Sequence, residues 1–198
     1  VSWWPGEGNA NDIIGGNSGT LLNGLGFGFG EVAQDFNYLS NSQGIKVNVS
    51  TSLNVKSITI EGWINPTDVS NFRPIVEYGA DTGPEPVEFA YGWNDPGATT
   101  PGALYALLRD AGGGFLKLNS LGGLLPINQW SHVAMTFDFA TQVGKLYLNG
   151  TNVASSFYAG TLTLQTALPV HLGYRPSTSS EGGFDGTSHT GGFDEFSI

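Results

Sequence analysis

Short stretches of alternating apolar and polar residues run through the whole chain, and no segment repeats apolar positions at helical spacing. Ser57-Ile58-Thr59-Ile60-Glu61-Gly62-Trp63-Ile64 alternates with a period of two, so one set of side chains faces a core and the other faces away. Ala103 to Arg109 and Lys145-Leu146-Tyr147-Leu148-Asn149 also read as strands. Trp130-Ser131-His132-Val133-Ala134-Met135-Thr136-Phe137 has apolar bulk in both alternate sets, which predicts a strand in the interior of a sheet. Asn149-Gly150 predicts a type I′ turn, because both central residues of that turn need positive φ, and so pairs strands 145–148 and 152–155. Gly112-Gly113-Gly114 marks a second hairpin or loop between Ala103–Arg109 and Phe115–Leu118. Asp81 to Pro86 and Asp95 to Gly102 are Pro- and Gly-rich loops, and Pro176 to Gly192 is a long surface excursion before the last strand.

Composition narrows this picture. Thirty glycines and ten prolines punctuate strands, as in an all-β sandwich or barrel, and no linker or internal repeat divides the 198 residues, so residues 1–198 are expected to form one domain. At that length roughly 70% of the unfolded chain's surface can be buried, so the absence of cysteine removes no needed support. Seven Lys plus Arg stand against 17 Asp plus Glu, a net charge of −10. A polyanion needs a basic footprint, so nucleic acid is not an expected partner. No apolar run is long enough to span a bilayer. The chain starts and stops mid-theme, as expected of a domain excised from a larger protein.

Two segments bear on metal chemistry. In Trp3-Trp4-Pro5-Gly6-Glu7-Gly8-Asn9-Ala10-Asn11-Asp12, continuing to Asn17 and Thr20, a carboxylate lies among Gly and Asn residues. Such a stretch can turn carbonyls toward a cation, or can be turn chemistry alone. In Gly191-Gly192-Phe193-Asp194-Glu195-Phe196-Ser197-Ile198, strict alternation places Asp194 on the core-facing side with Phe196 and Ile198. There it needs a positive partner, or backbone N–H donors at a sheet edge. Phe89, Tyr91 and Trp93 line one face of a strand, with Tyr105 and Arg109 on its neighbour. The row is either core or a platform on which a sugar's apolar C–H face can stack. Trp63 and Trp130 are expected in the core, His132 in a structural role, and His189 in a ligand or surface role.

The ordered set Trp3-Trp4 with Gly6 to Asp12, Ile60 to Ile64, Trp130 to Asp138, Leu146 to Gly150, Phe184-Asp185-Gly186 and Asp194 to Ile198 resembles the laminin-G-like and pentraxin-like domains of the concanavalin-A-like lectin/glucanase superfamily. The resemblance implies a two-sheet antiparallel β-sandwich, a jelly roll, with its first and last strands adjacent. It also implies a structural Ca2+ held by Asp12 and Asp194, with Asn17 and Thr20 contributing oxygens. The related glucan hydrolases carry paired carboxylates on one strand. Neither Glu85 with Glu88 nor Glu181 with Asp185 has that arrangement, so the expectation is a binding module and not an enzyme. The expected partner is carbohydrate or an extracellular protein, met at the cell surface or after secretion. Tyr91, Trp93, Tyr105 and Arg109 are the candidate ligand residues. A spacer domain is the alternative.

Overall fold

The computed structural model describes residues 1–80, 89–93, 101–176 and 187–198; of 89–91 and 93 only the backbone is described. The expected loops at Asp81–Pro86 and Asp95–Gly102 fall largely outside these residues, as does 177–186 of the final excursion. Fifteen strands form among the described residues: β1 Trp3–Trp4, β2 Thr20–Leu22, β3 Gly26–Phe29, β4 Gln34–Tyr38, β5 Gly44–Val47, β6 Ile58–Pro66, β7 Arg73–Tyr78, β8 Phe89–Trp93, β9 Leu104–Arg109, β10 Phe115–Asn119, β11 Ser131–Asp138, β12 Val143–Leu148, β13 Thr151–Phe157, β14 Val170–Leu172 and β15 Gly191–Ser197.

They make two antiparallel sheets. An eight-stranded sheet runs β13-β12-β11-β6-β15-β4-β3, with β1 added on β15, and a seven-stranded sheet runs β10-β9-β8-β7-β14-β5-β2. Trp3 and Trp4 pair with Ser197 and Phe196, so the first and last strands are neighbours. Strand β11 lies between β6 and β12, the interior position its two-sided apolar pattern predicts. The β12–β13 hairpin turns at Asn149 (φ 48°) and Gly150 (φ 76°), both in the left-handed region a type I′ turn requires. At the β9–β10 turn, the Asp110 carboxylate accepts the N–H groups of Gly112 and Gly114.

The inner faces of the two sheets share one core. Ile60, Ile64, Val133, Met135, Phe137, Phe193 and Phe196 meet Ile45, Ile75, Tyr78, Leu104, Leu108, Val170 and Leu172 in it, all buried. Phe193 and Phe196 stack at 3.6 Å.

Two of the expectations change here. Trp63 and Trp130 are not core residues: both are partly exposed, whereas Trp4 is buried in the core. Asp194 does not share a face with Phe196. Glu195 takes φ 54° and the β6–β15 register slips between Asp194 and Ser197, a β-bulge that inverts the alternation. Phe193 and Phe196 point into the core, while Asp194, directly opposite Trp63, lies on the outer face of the eight-stranded sheet.

Candidate functional site

The outward face of the seven-stranded sheet is built, not merely solvated. Strand pairing sets Lys46, His171 and Glu77 side by side across β5, β14 and β7. Glu77 is fully buried, an environment no lone carboxylate tolerates in its ionised form. Its partner is Arg175, 2% exposed, whose Nε lies 3.0 Å from both carboxylate oxygens and whose Nη2 lies 2.5 Å from Oε1. Burial pulls Arg175 down, but the adjacent Glu77 charge and its hydrogen bonds outweigh this and hold the guanidinium charged. The same guanidinium sits 4.4 Å over the Phe72 ring, and Phe72 packs edge-on against Tyr105 at 5.7 Å. Beside this cluster Arg73 reaches the Asn41 side chain, the Ser188 carbonyl and the Asp68 carboxylate. Two buried rings, a fixed charge pair and an accessible polar rim are thus assembled on one side of the sheet.

A second built feature lies on the outer face of the other sheet. Asp35 and Asp194 are buried beneath the β3–β4 hairpin, and each leaves its Oδ1 without a hydrogen-bond partner, as does the partly exposed Asn65, whose Oδ1 is itself buried. Asp194 Oδ2 accepts the Val32 N–H at 2.9 Å. Burial first, then the Glu195 and Asp35 charges, push Asp194 up to about 6 against that lowering bond; burial likewise raises Asp35. Glycine makes the room. A Cβ at Gly30 would stand 2.6 Å from Asp194 Oδ2, and one at Gly28 2.7 Å from Asp35 Oδ1. Another at Gly192, which pairs with Asn65, would collide with Asp35 Oδ2 and the Trp130 ring. Three acceptor oxygens, orphaned and buried, suit a hard cation that takes oxygen ligands.

A laminin-G family profile, described as Concanavalin A-like lectin/glucanases superfamily, matches residues 39–198. The chain belongs to this superfamily. No curated protein matches the sequence. Among solved structures, domain 4 of AbnA, a GH43 extracellular arabinanase from Geobacillus stearothermophilus in complex with arabinotriose, superposes with a TM-score of 0.65 at 16% identity, over 98% of this chain and 89% of that one. The Ruminococcus gnavus IT-sialidase CBM40 bound to α2,3 sialyllactose gives 0.60 at 16% identity, over 80% and 85%. The botulinum neurotoxin serotype D binding domain gives 0.67 at 16% identity over 99% of this chain, which spans 47% of that one. At such identities these likenesses establish the jelly-roll fold.

On this superfamily scaffold the metal residues named from sequence are not gathered at one point. Asp12 accepts four backbone N–H groups, those of Trp3, Ile14 and Gly15 on Oδ1 and that of Asn17 on Oδ2. Burial acts to raise its pKa, but these four donors prevail and hold it well below the usual carboxylate range. Asn17 is next to it, with its amide on the Ser2 and Ser52 hydroxyls. Thr20 is exposed on β2, opposite Lys46 in the other sheet from Asp194. Asp35 and Asn65 were not anticipated; a carboxylate in the alternating run Gln34-Asp35-Phe36-Asn37-Tyr38 reads as an ordinary outward-facing residue.

Of the candidate ligand residues, Tyr105 is 1% exposed on the outward face of the seven-stranded sheet and Arg109 is partly exposed on the same strand. Tyr91 and Trp93 pair through their backbones with Ala106 and Leu104 of β9, and their side chains lie outside the described residues. The carboxylates weighed for hydrolysis, Glu85, Glu88, Glu181 and Asp185, also lie outside them. His132 rests edge-on against Trp63 at 5.3 Å. His189 is fully buried, and burial pulls it down to about 3, so it is a neutral packing residue at physiological pH and not a surface ligand.

Proposed function

We propose that the protein is a non-catalytic carbohydrate-binding module, stabilised by calcium and acting outside the cell or at its surface. The observation that carries the reading is the outward face of the seven-stranded sheet. There the Glu77–Arg175 pair, Phe72 and Tyr105 form a buried, fixed support beneath the accessible polar rim of Arg73, Asn41 and Asp68. Oriented polar groups held on a rigid support are what a sugar's hydroxyls need, since these both donate and accept. Support also comes from two similar structures of the same fold, whose descriptions name arabinotriose and sialyllactose as bound ligands. Affinity electrophoresis across plant, algal and animal polysaccharides tests it. Retardation by at least one polysaccharide is the expected result, and free migration in all of them by folded protein would refute the binding-module reading.

Calcium belongs to the same proposal. Asp35 and Asp194 would hold it, with the Asn65 carbonyl oxygen, and the ion would neutralise two carboxylates that otherwise repel each other in a buried site. At a calcium concentration about 100 times the dissociation constant, linkage adds about 2.7 kcal/mol of stability, which at this chain length raises Tm by roughly 5–10 °C. Addition of a chelator should reverse that rise, and elemental analysis should find one calcium per chain in the wild type and none in Asp194→Asn. An unchanged Tm together with no bound calcium would remove the ion from the proposal.

A further inference from the structure

On the outer face of the eight-stranded sheet, remote from the ring-bearing face, a groove of about 410 Å³ is lined by Trp3, Ile14, Glu61, Glu195 and Ser197, among others. Its volume falls within the range of about 300–1,000 Å³ typical of small-ligand sites. One wall of the groove is an indole that the fold leaves partly exposed, yet holds in place. Trp3 is 37% exposed, while its neighbour Trp4 is wholly buried. The Trp3 backbone N–H is bound by Asp12 and its carbonyl by the Ile13 N–H, and the strand itself pairs with Ser197. Even the edge of the ring is fixed, because the indole N–H donates to Glu195 Oε2 at 2.5 Å.

Glu195 reaches that position at a conformational cost. It is the bulge residue of β15, at φ 54°, a region that non-glycine residues seldom occupy and that is maintained where the surroundings demand it. The bulge aims its carboxylate along the indole. Across the strand pair, Glu61 stands opposite Ser197, about half exposed, with His132 at 3.9 Å. The groove therefore offers a flat apolar ring held at its edge, two carboxylates that accept hydrogen bonds, the Ser2 and Ser197 side chains, and Val1.

We propose that this groove is a second carbohydrate subsite, specific for neutral sugars, in which a sugar ring lies on Trp3 and donates hydroxyl hydrogens to Glu61 and Glu195. The assignment rests on the reading of the protein as a carbohydrate-binding module. The groove lies on the other sheet, on the opposite face of the sandwich. Sialylated or uronic glycans are disfavoured by two lining carboxylates on a chain of net charge −10. Pre-ordering of the indole removes entropy that a mobile ring would lose on binding.

Two-dimensional 1H–15N NMR of the intact calcium-loaded protein tests this with arabinotriose, xylotriose, cellotriose and maltotriose, with 3′-sialyllactose, and with Nα-acetyl-lysine methylamide. The Trp3 indole signal is assigned as the one missing from Trp3→Phe. Expected is a saturable shift of the Trp3 indole and of the Glu61 and Ser197 amides with at least one neutral trisaccharide, none with sialyllactose, and loss of the effect in Trp3→Ala and in Glu61→Gln. Shifts confined to the outward face of the seven-stranded sheet would overturn the second subsite and leave the module reading standing. No shift on either face with any sugar would count against both. Movement of the Trp3 signal with the lysine derivative alone would overturn the proposal in favour of a groove for basic side chains.

Discussion

Replacing Glu77 by alanine is expected to destabilise the protein by about 3–5 kcal/mol, the cost of leaving a buried guanidinium without its counter-charge. Arg175 is 2% exposed and packed over Phe72, so water cannot take the place of the lost carboxylate without opening the sheet face. For a chain of this size the loss corresponds to a fall in Tm of roughly 6–20 °C, and urea unfolding should show a lower midpoint with an unchanged slope. Removing both charges should behave differently. A Glu77→Leu, Arg175→Met double variant deletes the desolvation penalty together with the attraction, and should recover most of the stability. If the pair exists to hold the polar rim of Arg73, Asn41 and Asp68 in place for a ligand, that recovered protein should still fail to be retarded by the polysaccharide the wild type binds. A double variant that binds as the wild type does would reduce the pair to a structural feature. A single Glu77→Ala variant as stable as the wild type would mean that Arg175 finds water.

The frame of the fold was legible because its signals are local. The alternation of Ile58 to Ile64, the two-sided apolar character of Val133 to Phe137 and the Asn149-Gly150 turn each require only neighbouring residues, and each corresponds to an observed strand or turn. What escaped the sequence depends on contacts between distant segments. Nothing near Glu195 announces a left-handed residue, so strict alternation carried Asp194 to the wrong face of β15. Size and apolar character suggested that Trp63 and Trp130 lie inside, but large rings also cover the outer face of a sheet, where a polar edge can stay wet. Glu77 did carry a signal, a lone charge in the run Pro74-Ile75-Val76-Glu77-Tyr78, but its partner Arg175 comes from the far end of the chain. The oxygen cluster is the extreme case. Asp35, Asn65 and Asp194 sit on three strands, and only the sheet order β6-β15-β4 brings them together.

Asp12→Ala is the second large effect, expected on the order of 3 kcal/mol, because hydrogen bonds to a charged acceptor contribute about 1.5–3 kcal/mol each and are not additive when they share it. The carboxylate ties the Trp3 N–H of β1 to the loop at Ile14, Gly15 and Asn17, and it is 8% exposed, so its removal strands donors that water reaches poorly. Asp12→Asn keeps an acceptor oxygen and should lose less, which separates shape from charge. The pH dependence follows from the direction of the shift. The folded pKa lies below the unfolded value of about 3.9, so the ionised form is the one the fold prefers. Its contribution is present in full above that unfolded value and declines as pH falls below it toward the folded pKa. The difference in unfolding free energy between wild type and Asp12→Asn should therefore stay constant from pH 7 to about 5 and narrow below about 4. A difference that stays constant as the pH falls to 2.5 would show that Asp12 acts through geometry alone. Because the same staple fixes Trp3, Asp12→Asn should also loosen the indole's bond to Glu195, visible as a displaced Trp3 indole N–H resonance in protein that remains folded. The turn that sequence alone could read as metal chemistry would then be the support of the outer-face groove.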